Sequence, residues 1–422
     1  MATGFNDLSV LKQQQVMVYT PSGTFLDVWQ DAPLLAGFKE IINGATQPLK
    51  ITLPRSFDNF DQVGAPGSGG TVAQGNIVQY WLYGAGLPAN GLLRFQGVID
   101  TYEPQIDSNG AETVAVTITP FDSVLGDRGI TSASVAFGTP GTSSTYVDPV
   151  TFLTYFLSNN DPVTGSPYLS PLTADPTNPT SSGVTVQFTF VNETMLDVFT
   201  QMLFCLPANW FYRINPNKTI TLNVSPSSAQ HTLFIGQNLV NPSYSQDWMN
   251  LRNVIAFMGG ILNGSTIYLT AKGSDIATFG ERIKLVNESR ITDSNTATTF
   301  VNGYLNVFDR VSFRAKIRVP DYRGSLAQSG LGYDIESFQV GDTVQILDSL
   351  SSNNAKASLW NQSHWDVDYW DSSPGAALNQ VTIIQSIDYY FDYVDLELGL
   401  PQPSQDRALF DVMNRLQLYT IK

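Results

Sequence analysis

Apolar and polar residues alternate along most of the chain, in short segments separated by clusters of Gly, Pro, Asn and Asp. In the segment 113–119, Val114, Val116 and Ile118 fall on one face, which is the pattern of a half-buried antiparallel strand. The clearest hairpin joins 210–214 to 219–224 through an Asn-Pro-Asn-Lys turn. The pattern predicts a mainly β protein with further strands at 77–83, 93–102, 184–190, 252–257, 266–270, 311–319, 339–347 and 381–398.

Three segments place apolar residues at helical spacing instead. The best of them repeats apolar residues every three or four positions, begins after a candidate cap at Asn192 or Thr194, and stops at Pro207. Because these helices are few beside the strands, the predicted class is mainly β with a few helices, an α+β arrangement. The predicted helices are 194–206, 297–308 and 407–418.

Two segments break the regular pattern and are predicted to be long loops or insertions. Residues 158–183 hold five prolines among Ser, Thr, Asn and Asp. Residues 351–379 are polar but concentrate large aromatic side chains. Loops of this length are commonly functional, so we take four aromatic residues as candidates for contact with a partner; the alternative is that they pack on their own chain. They are Trp360, Trp365, Tyr369 and Trp370.

Composition narrows the functional classes. The 422 residues suffice for two to four domains, and only 14% are charged, against roughly 25% in an average soluble domain. A net charge of −15 works against binding of nucleic acid or anionic lipid. No apolar run approaches the length of a membrane span, and the N-terminus lacks the features of a secretory signal, so we expect synthesis in the cytoplasm.

No catalytic or cofactor motif is present in the sequence. The nucleophile elbow, the phosphate-binding loop and the HExxH metal helix are all missing. The single cysteine, Cys205, has no metal-ligand spacing around it, and the glycine-rich segment 64–70 lacks a lysine for a phosphate. His231 has no acid nearby in the sequence, and His364 lies in a polar loop, so neither is expected to be catalytic. We therefore expect no catalytic residue, no metal and no cofactor.

Paired carboxylates leave one enzymatic alternative open, because a glycosidase needs only two of them at a suitable distance. Asp388 and Asp392 share a strand face but lie roughly 13 Å apart at ~3.3 Å per residue, which favours a solvated surface. Asp366, Asp368 and Asp371 lie close together in the 351–379 loop, but they lack the spacing of a calcium-binding loop. The alternative function is thus a carbohydrate-binding or glycoside-cleaving β-protein of a virion or cell surface. The other acidic candidates are Asp395, Glu397, Asp366, Asp368 and Asp371.

Basic residues concentrate on one predicted strand. No Lys or Arg occurs between Arg128 and Arg213, whereas 252–323 holds ten of the 22. Strand alternation puts Arg314, Lys316 and Arg318 on one face of 311–319. Two interpretations stay open: a solvated strand face, or a contact with an acidic neighbouring subunit. These three residues are the candidate subunit contacts.

The order of the segments resembles that of baseplate or tail-tip hub proteins of tailed bacteriophages, including the N-terminal hub region of siphophage tail-associated proteins. Each motif alone has the composition of an ordinary β-strand, a helix or a Gly-Asp turn, and only their order is informative. The resemblance covers most of residues 1–400. The segments that support it are 93–100, 113–119, 121–125, 194–206, 209–212, 251–256, 279–282, 295–306 and 338–346.

This resemblance implies two β-barrel-like, tail-tube-type modules per chain, so that three chains present six modules to a six-fold tail tube. It implies a homotrimer that joins the tube or a distal tail protein ring to distal tip, fibre or receptor-binding proteins at the virion tail tip. DNA would pass through its channel without specific binding, and the tip would contact the host envelope. No lysin or peptidase domain is recognisable, so we expect a structural protein; a tail-associated enzyme with an unrecognised active site is the remaining alternative.

The resemblance also divides the chain. The first barrel is expected at 1–130 and a peripheral α+β domain at 131–247, which includes the 158–183 loop. The second barrel is expected from 248–273 and 311–400, with a helical insertion at 274–310 between its parts and a C-terminal helix or tail at 401–422. We further expect the acidic excess to line the channel, with the basic strand turned elsewhere.

Overall fold

The protein is described by a computed structural model over residues 12–29, 37–44, 46–54, 71–84, 86–106, 110, 112–131, 134–138, 145–235, 238–247, 251–262, 264–274, 276–309, 312–322, 332–348 and 381–399. Its helices are α1 (Val124–Asp127), α2 (Val150–Ser158), α3 (Met195–Cys205), α4 (Ile276–Phe279) and α5 (Ser294–Phe308). Its strands outnumber the helices: β1 (Gln13–Tyr19), β2 (Phe25–Trp29), β3 (Phe38–Ile41), β4 (Leu49–Pro54), β5 (Ile77–Tyr83), β6 (Leu92–Ile106), β7 (Glu112–Pro120), β8 (Ser134–Phe137), β9 (Thr173–Ala174), β10 (Phe188–Val191), β11 (Trp210–Ile214), β12 (Thr219–Val224), β13 (His231–Ile235), β14 (Val240–Asp247), β15 (Val254–Leu262), β16 (Ser265–Lys272), β17 (Ile283–Glu288), β18 (Ser312–Pro320), β19 (Thr343–Asp348), β20 (Val381–Tyr389) and β21 (Tyr393–Gly399). The predicted class, mainly β with a few helices, is confirmed.

Six strands form the first sheet, a curled half-barrel in the order β2-β1-β5-β6-β7-β4 with antiparallel neighbours. The predicted alternation is present: Val114, Val116 and Ile118 are buried, and the residues between them are partly exposed. In β6, a side chain at Gly97 would collide with the Thr119 carbonyl oxygen. Glycine therefore allows β6 and β7 to approach closely.

The second half-barrel takes its strands from three separate parts of the chain. Its order is β13-β19-β20-β21-β18-β14, and β3 pairs with β20 in addition. The second half-barrel thus includes β3 from the segment expected to form the first barrel. It also includes β13 and β14 from the segment expected to be peripheral. Strand alternation fixes which face of a strand is buried, but it does not specify the partner strand.

One continuous core joins the two half-barrels. Phe38 of β3 lies at its centre, 5.4 Å from the ring of Phe95 in the first sheet and 5.0 Å from that of Tyr389 in the second. Buried residues of both sheets, such as Ile99 and Ile387, belong to the same cluster. The two sheets are therefore packed on each other through shared aromatic contacts.

A second core holds the helices and the smaller sheets. Helix α3 begins as predicted at Thr194, whose hydroxyl accepts from the Asp197 amide. Helix α5 begins after Asp293, whose carboxylate accepts from the Thr296 amide. The sequence did not predict α2, because its β-branched and aromatic residues have strand propensity. The segment 407–418, expected to be helical, lies outside the described residues.

Strands β15 and β16 differ from their expected position in the second barrel. They form a separate sheet with β17, in the order β16-β15-β17. Ile255 and Phe257 of β15 are buried in the same core as Phe300 of α5. Because that inner face packs toward α5 and the helical core, β15 and β16 belong with the helices rather than with the barrels, and 274–310 contributes β17 as well as helices.

Candidate functional site

Lys316 and Arg318 lie on the outer face of β18, while the alternate residues Ile317 and Val319 point into the core. Lys316 Nζ lies 2.8 Å from Glu397 Oε1. Arg318 makes two bonds to Asp395, of 2.7 Å from Nε and 2.8 Å from Nη2. The two basic side chains therefore pair with carboxylates of β21 in the same chain.

The pairs continue across four strands as rows of charge. Strand register places Lys39, Asp388, Asp395 and Arg318 in one row, and Glu397 lies beside Lys316 in the next. Lys39 Nζ bridges the rows, 3.6 Å from Asp388 and 3.4 Å from Glu397. Lys316 and Arg318 line a cavity of about 370 Å³ together with the three carboxylates, and Lys39 adds the third positive charge, so the charges of the network cancel.

These contacts affect the ionisation of the carboxylates. Burial opposes the ionisation of Glu397, but bonds from Lys316 and Ser386, with Lys39 nearby, lower its pKa to about 2. Burial raises the pKa of Asp388, and the Lys39 charge only partly offsets this. Glu397 is therefore ionised at neutral pH, and both Asp395 and Glu397 already have basic partners in the same chain.

The other predicted contact residues are less fully described. Arg314 occupies β18, where its backbone is paired with Ser245 of β14; its side chain lies outside the description. The aromatic candidates Trp360, Trp365, Tyr369 and Trp370 lie outside the described residues, as do His364 and the acidic trio of that loop. Their roles stay predictions.

A buried ionic cluster connects the two half-barrels, and no pattern in the sequence predicted it. Lys12 Nζ lies 3.2 Å from Asp321 and 2.5 Å from Glu336, and it donates to the Phe391 carbonyl at 2.8 Å. Arg94 of β6 reaches the same Glu336 at 3.0 Å and stacks on the Tyr389 ring, 3.9 Å from its centroid. Charged groups buried this deeply depend on their partners, so the cluster fixes how the sheets meet.

Next to this cluster is a small cavity where both half-barrels meet the β11–β12 hairpin. Glu40, Arg94, Asp122 and Asn215 are among its lining residues. Asp122 is 2% exposed and accepts from the Thr46 amide at 2.5 Å. Burial raises the pKa of Asp122 to about 6 despite that bond, and burial also raises the pKa of Glu40. The junction therefore contains protonatable groups that the sequence did not indicate.

His231 has partners that its sequence neighbourhood lacks. Its Nε2 lies 3.1 Å from Asp342, 111 positions away, and its Nδ1 lies 3.2 Å from the Tyr333 hydroxyl. The expectation that no acid lies near His231 holds for the sequence but not for the fold. Because both ring nitrogens are occupied by these contacts, the arrangement links β13 to the turn before β19.

The described part of the chain offers no group of three or more His, Cys, Asp or Glu side chains that could hold a metal ion. Cys205 is buried, and burial raises the pKa of its thiol, which disfavours the reactive thiolate. Among the described residues, no helix is both long and apolar enough to cross a membrane.

Comparisons with known proteins identify the fold. No family model matches the chain, and no curated protein matches it. Among solved structures, the 43 kDa tail protein of prophage MuSo2 from Shewanella oneidensis aligns with a TM-score of 0.57 at 11% identity, over 93% of this chain and 99% of that one. The chain has the fold of prophage tail proteins.

Two further structures of tail proteins support this statement. The prophage tail protein gp18 of Listeria monocytogenes EGD-e aligns with a TM-score of 0.53 at 12% identity, over 96% of this chain and 99% of that one. A tail protein of Neisseria meningitidis MC58 aligns with a TM-score of 0.54 at 12% identity, over 92% of this chain and 96% of that one. The resemblance noted in the sequence is thus confirmed at the level of the fold, along nearly the whole chain.

Proposed function

We propose that the chain is a structural hub of a bacteriophage tail tip or baseplate. The observation that supports this most is the match of tail proteins, two of them from prophages, along more than nine-tenths of the chain. Two half-barrels in one chain, packed through one core, also suit a protein that presents two similar modules around an axis. Three copies would then match a six-fold tail tube.

In this proposal the hub is a homotrimer that joins the tube, or a distal tail protein ring, to distal tip or receptor-binding proteins. Its bore is the exit channel for DNA, which passes without specific binding because the chain carries a net charge of −15. Its function is mechanical, as a passage and an anchor, with no catalytic step. The paired carboxylates Asp395 and Glu397 give no support to the glycosidase alternative.

The loop 351–379 is proposed as the part that contacts another tip protein or the host envelope, through its four aromatic residues. Deleting 355–375 tests this role. We expect the shortened chain to assemble into the same trimer as the full chain but to give tails that do not complete a functional tip. Loss of folding or of assembly would instead show that these aromatics pack on the hub itself.

The mass of the assembly tests the hub proposal directly. Sedimentation equilibrium of the purified chain should give three times the 46.2 kDa chain mass. Electron microscopy of tails should place that trimer on the tube axis. A chain that is monomeric at every accessible concentration and absent from the axis of the particle would contradict the proposal.

A further inference from the structure

The outer face of the β16-β15-β17 sheet is apolar and exposed. Strand register puts Met258 and Tyr268 side by side, and it places Leu285 and Ile283 in the next two rows of the same face. Ile261 lies beyond a bulge in β15 and joins this face. Leu285 is 78% exposed and Tyr268 is 71% exposed. Apolar side chains that are grouped in this way on a surface mark a contact.

Strand β17 has the reverse of the polarity expected when only one face of a sheet is covered. Ile283 and Leu285 point outward, whereas Lys284 points toward the helical side, with its Nζ 4.2 Å from the centroid of the Phe308 ring. A strand covered on that side alone would place the lysine in solvent and the aliphatic residues inside. The order of residues in β17 therefore indicates that the outer face is covered as well.

Strand β15 has the character of a strand that is covered by helices on both faces. Its nine residues, Val254–Leu262, are all apolar or glycine, and it pairs with β17 in parallel. Parallel strands occur mainly where helices cover both faces of a sheet, and they form nearly continuous apolar runs. Helix α5 covers the inner face, where the Phe257 and Phe300 rings lie 6.2 Å apart. A second helix is therefore the kind of element that suits the outer face.

The sequence offers one such helix. Among the described residues of the outer face the one charged side chain, Lys272, already pairs with Glu281, so the occupant should be apolar. Of the three helices predicted from the sequence, α3 and α5 pack in the helical core, which leaves 407–418. Asp411 and Arg415 fall on the polar side of that segment, away from a stripe of apolar residues at helical spacing. The stripe consists of Leu409, Val412, Met413 and Leu416.

The chain leaves the second half-barrel close to this sheet. Strand β21 ends beside the beginning of β18, because Leu398 lies opposite Ala315. The stretch of chain from Ala315 back to Phe308, whose ring contacts Lys284 of β17, spans at most about 25 Å at ~3.6 Å per residue. Residues 399–406 span up to about 29 Å on the same basis. Since β17 is an edge strand, the segment that follows can pass around it to the outer face.

We propose that the segment 407–418 forms an amphipathic helix that covers the outer face of the β16-β15-β17 sheet in its own chain. The sheet then lies between two helices, with α5 on its inner face and the new helix on its outer face, which is a common layered arrangement. The inference concerns a contact within one chain, so it does not depend on the hub proposal.

Trypsin measures whether the segment is covered, because Arg415 lies within it. In the full chain, cleavage after Arg415 should be at least tenfold slower than in the synthetic peptide 401–422. Leu285→Asp puts a carboxylate in the middle of the apolar face and should restore the cleavage rate of the peptide. Ile106→Asp makes the same change on a residue of β6 that is 72% exposed and should leave Arg415 protected. Neither side chain belongs to either core, so both variants should fold, which their melting temperatures check.

The outcomes separate this inference from the proposed function. Rapid cleavage in the unmodified chain, or protection that survives Leu285→Asp, would show that the segment does not cover this face. Protection that is lost on dilution would mean that a second copy supplies the cover, which also contradicts a contact within one chain. Sedimentation equilibrium of the same samples tests the hub separately, since a chain that stays monomeric while Arg415 is protected would contradict the hub and support the inference.

Discussion

Asp122 is a buried carboxylate whose ionisation opposes folding. The folded protein keeps its proton up to a pKa of about 6, whereas the unfolded chain releases it near the usual value of 3.8. The folded state therefore binds more protons between these values, and stability falls as the pH rises through that window. The stabilising effect is complete below about pH 4 and lost above about pH 6.

The expected size follows from the shift of the pKa. At about 1.4 kcal/mol per unit, the free energy of unfolding should fall by about 3 kcal/mol between pH 4 and pH 6 from this group. Asp122→Asn should reduce the change of the unfolding free energy between pH 4 and pH 6, because the amide does not titrate. Urea unfolding at several pH values measures this, with the exposed Glu103→Gln as control. An unchanged slope in Asp122→Asn would contradict the assignment.

Lys12 offers a comparison between a buried and an exposed ion pair. Lys12→Met removes the cation beside Asp321 and Glu336, whose side chains are at most 3% exposed, and it should cost about 3–5 kcal/mol of unfolding free energy. Lys272→Met breaks an exposed pair with Glu281 and should cost less than about 1 kcal/mol. Equal effects of the two substitutions in urea unfolding would show that Lys12 stabilises the protein no more than an exposed lysine does.

At the scale of single elements, helix α3 depends on its first residue. Thr194→Ala removes the hydroxyl that accepts from the Asp197 amide and should lower the free energy of unfolding by about 1 kcal/mol. Thr200→Ala lies inside the same helix, where alanine is the better helix former, so it should change stability by less than about 0.5 kcal/mol. Similar losses at both positions in urea unfolding would argue against a capping role.

The sequence predicted the positions of strands and helices better than it predicted which of them pair or pack together. Alternation located β7 and the β11–β12 hairpin, and spacing with a cap located α3, because these signals lie within about ten residues. The partners of β3, β15 and β16 depend on which surfaces meet, and that information is spread over the whole chain. The same limit hid the buried ionic cluster between the half-barrels, since Lys12 and Glu336 are 324 positions apart.

At the scale of the whole molecule, the shared core predicts that the two half-barrels unfold together. Phe38 touches aromatic rings of both sheets, so Phe38→Ala should cost about 3–5 kcal/mol. Hydrogen exchange should show the loss of protection equally in β5 and in β20. Phe25→Ala, at a side chain that is 53% exposed, is the control. Loss of protection in one sheet alone would mean that the half-barrels are separate units.

The pairing of β3 with β20 also has a consequence for how the protein is made. Lys39 of β3 meets Glu397, 358 positions further along the chain, so a ribosome must synthesise β20 and β21 before β3 can find its place. Until then the growing chain must carry a strand with one edge unsatisfied. A synthesis halted before residue 381 therefore leaves that strand without its partner, and only a chain that includes β20 can close the joint between the half-barrels.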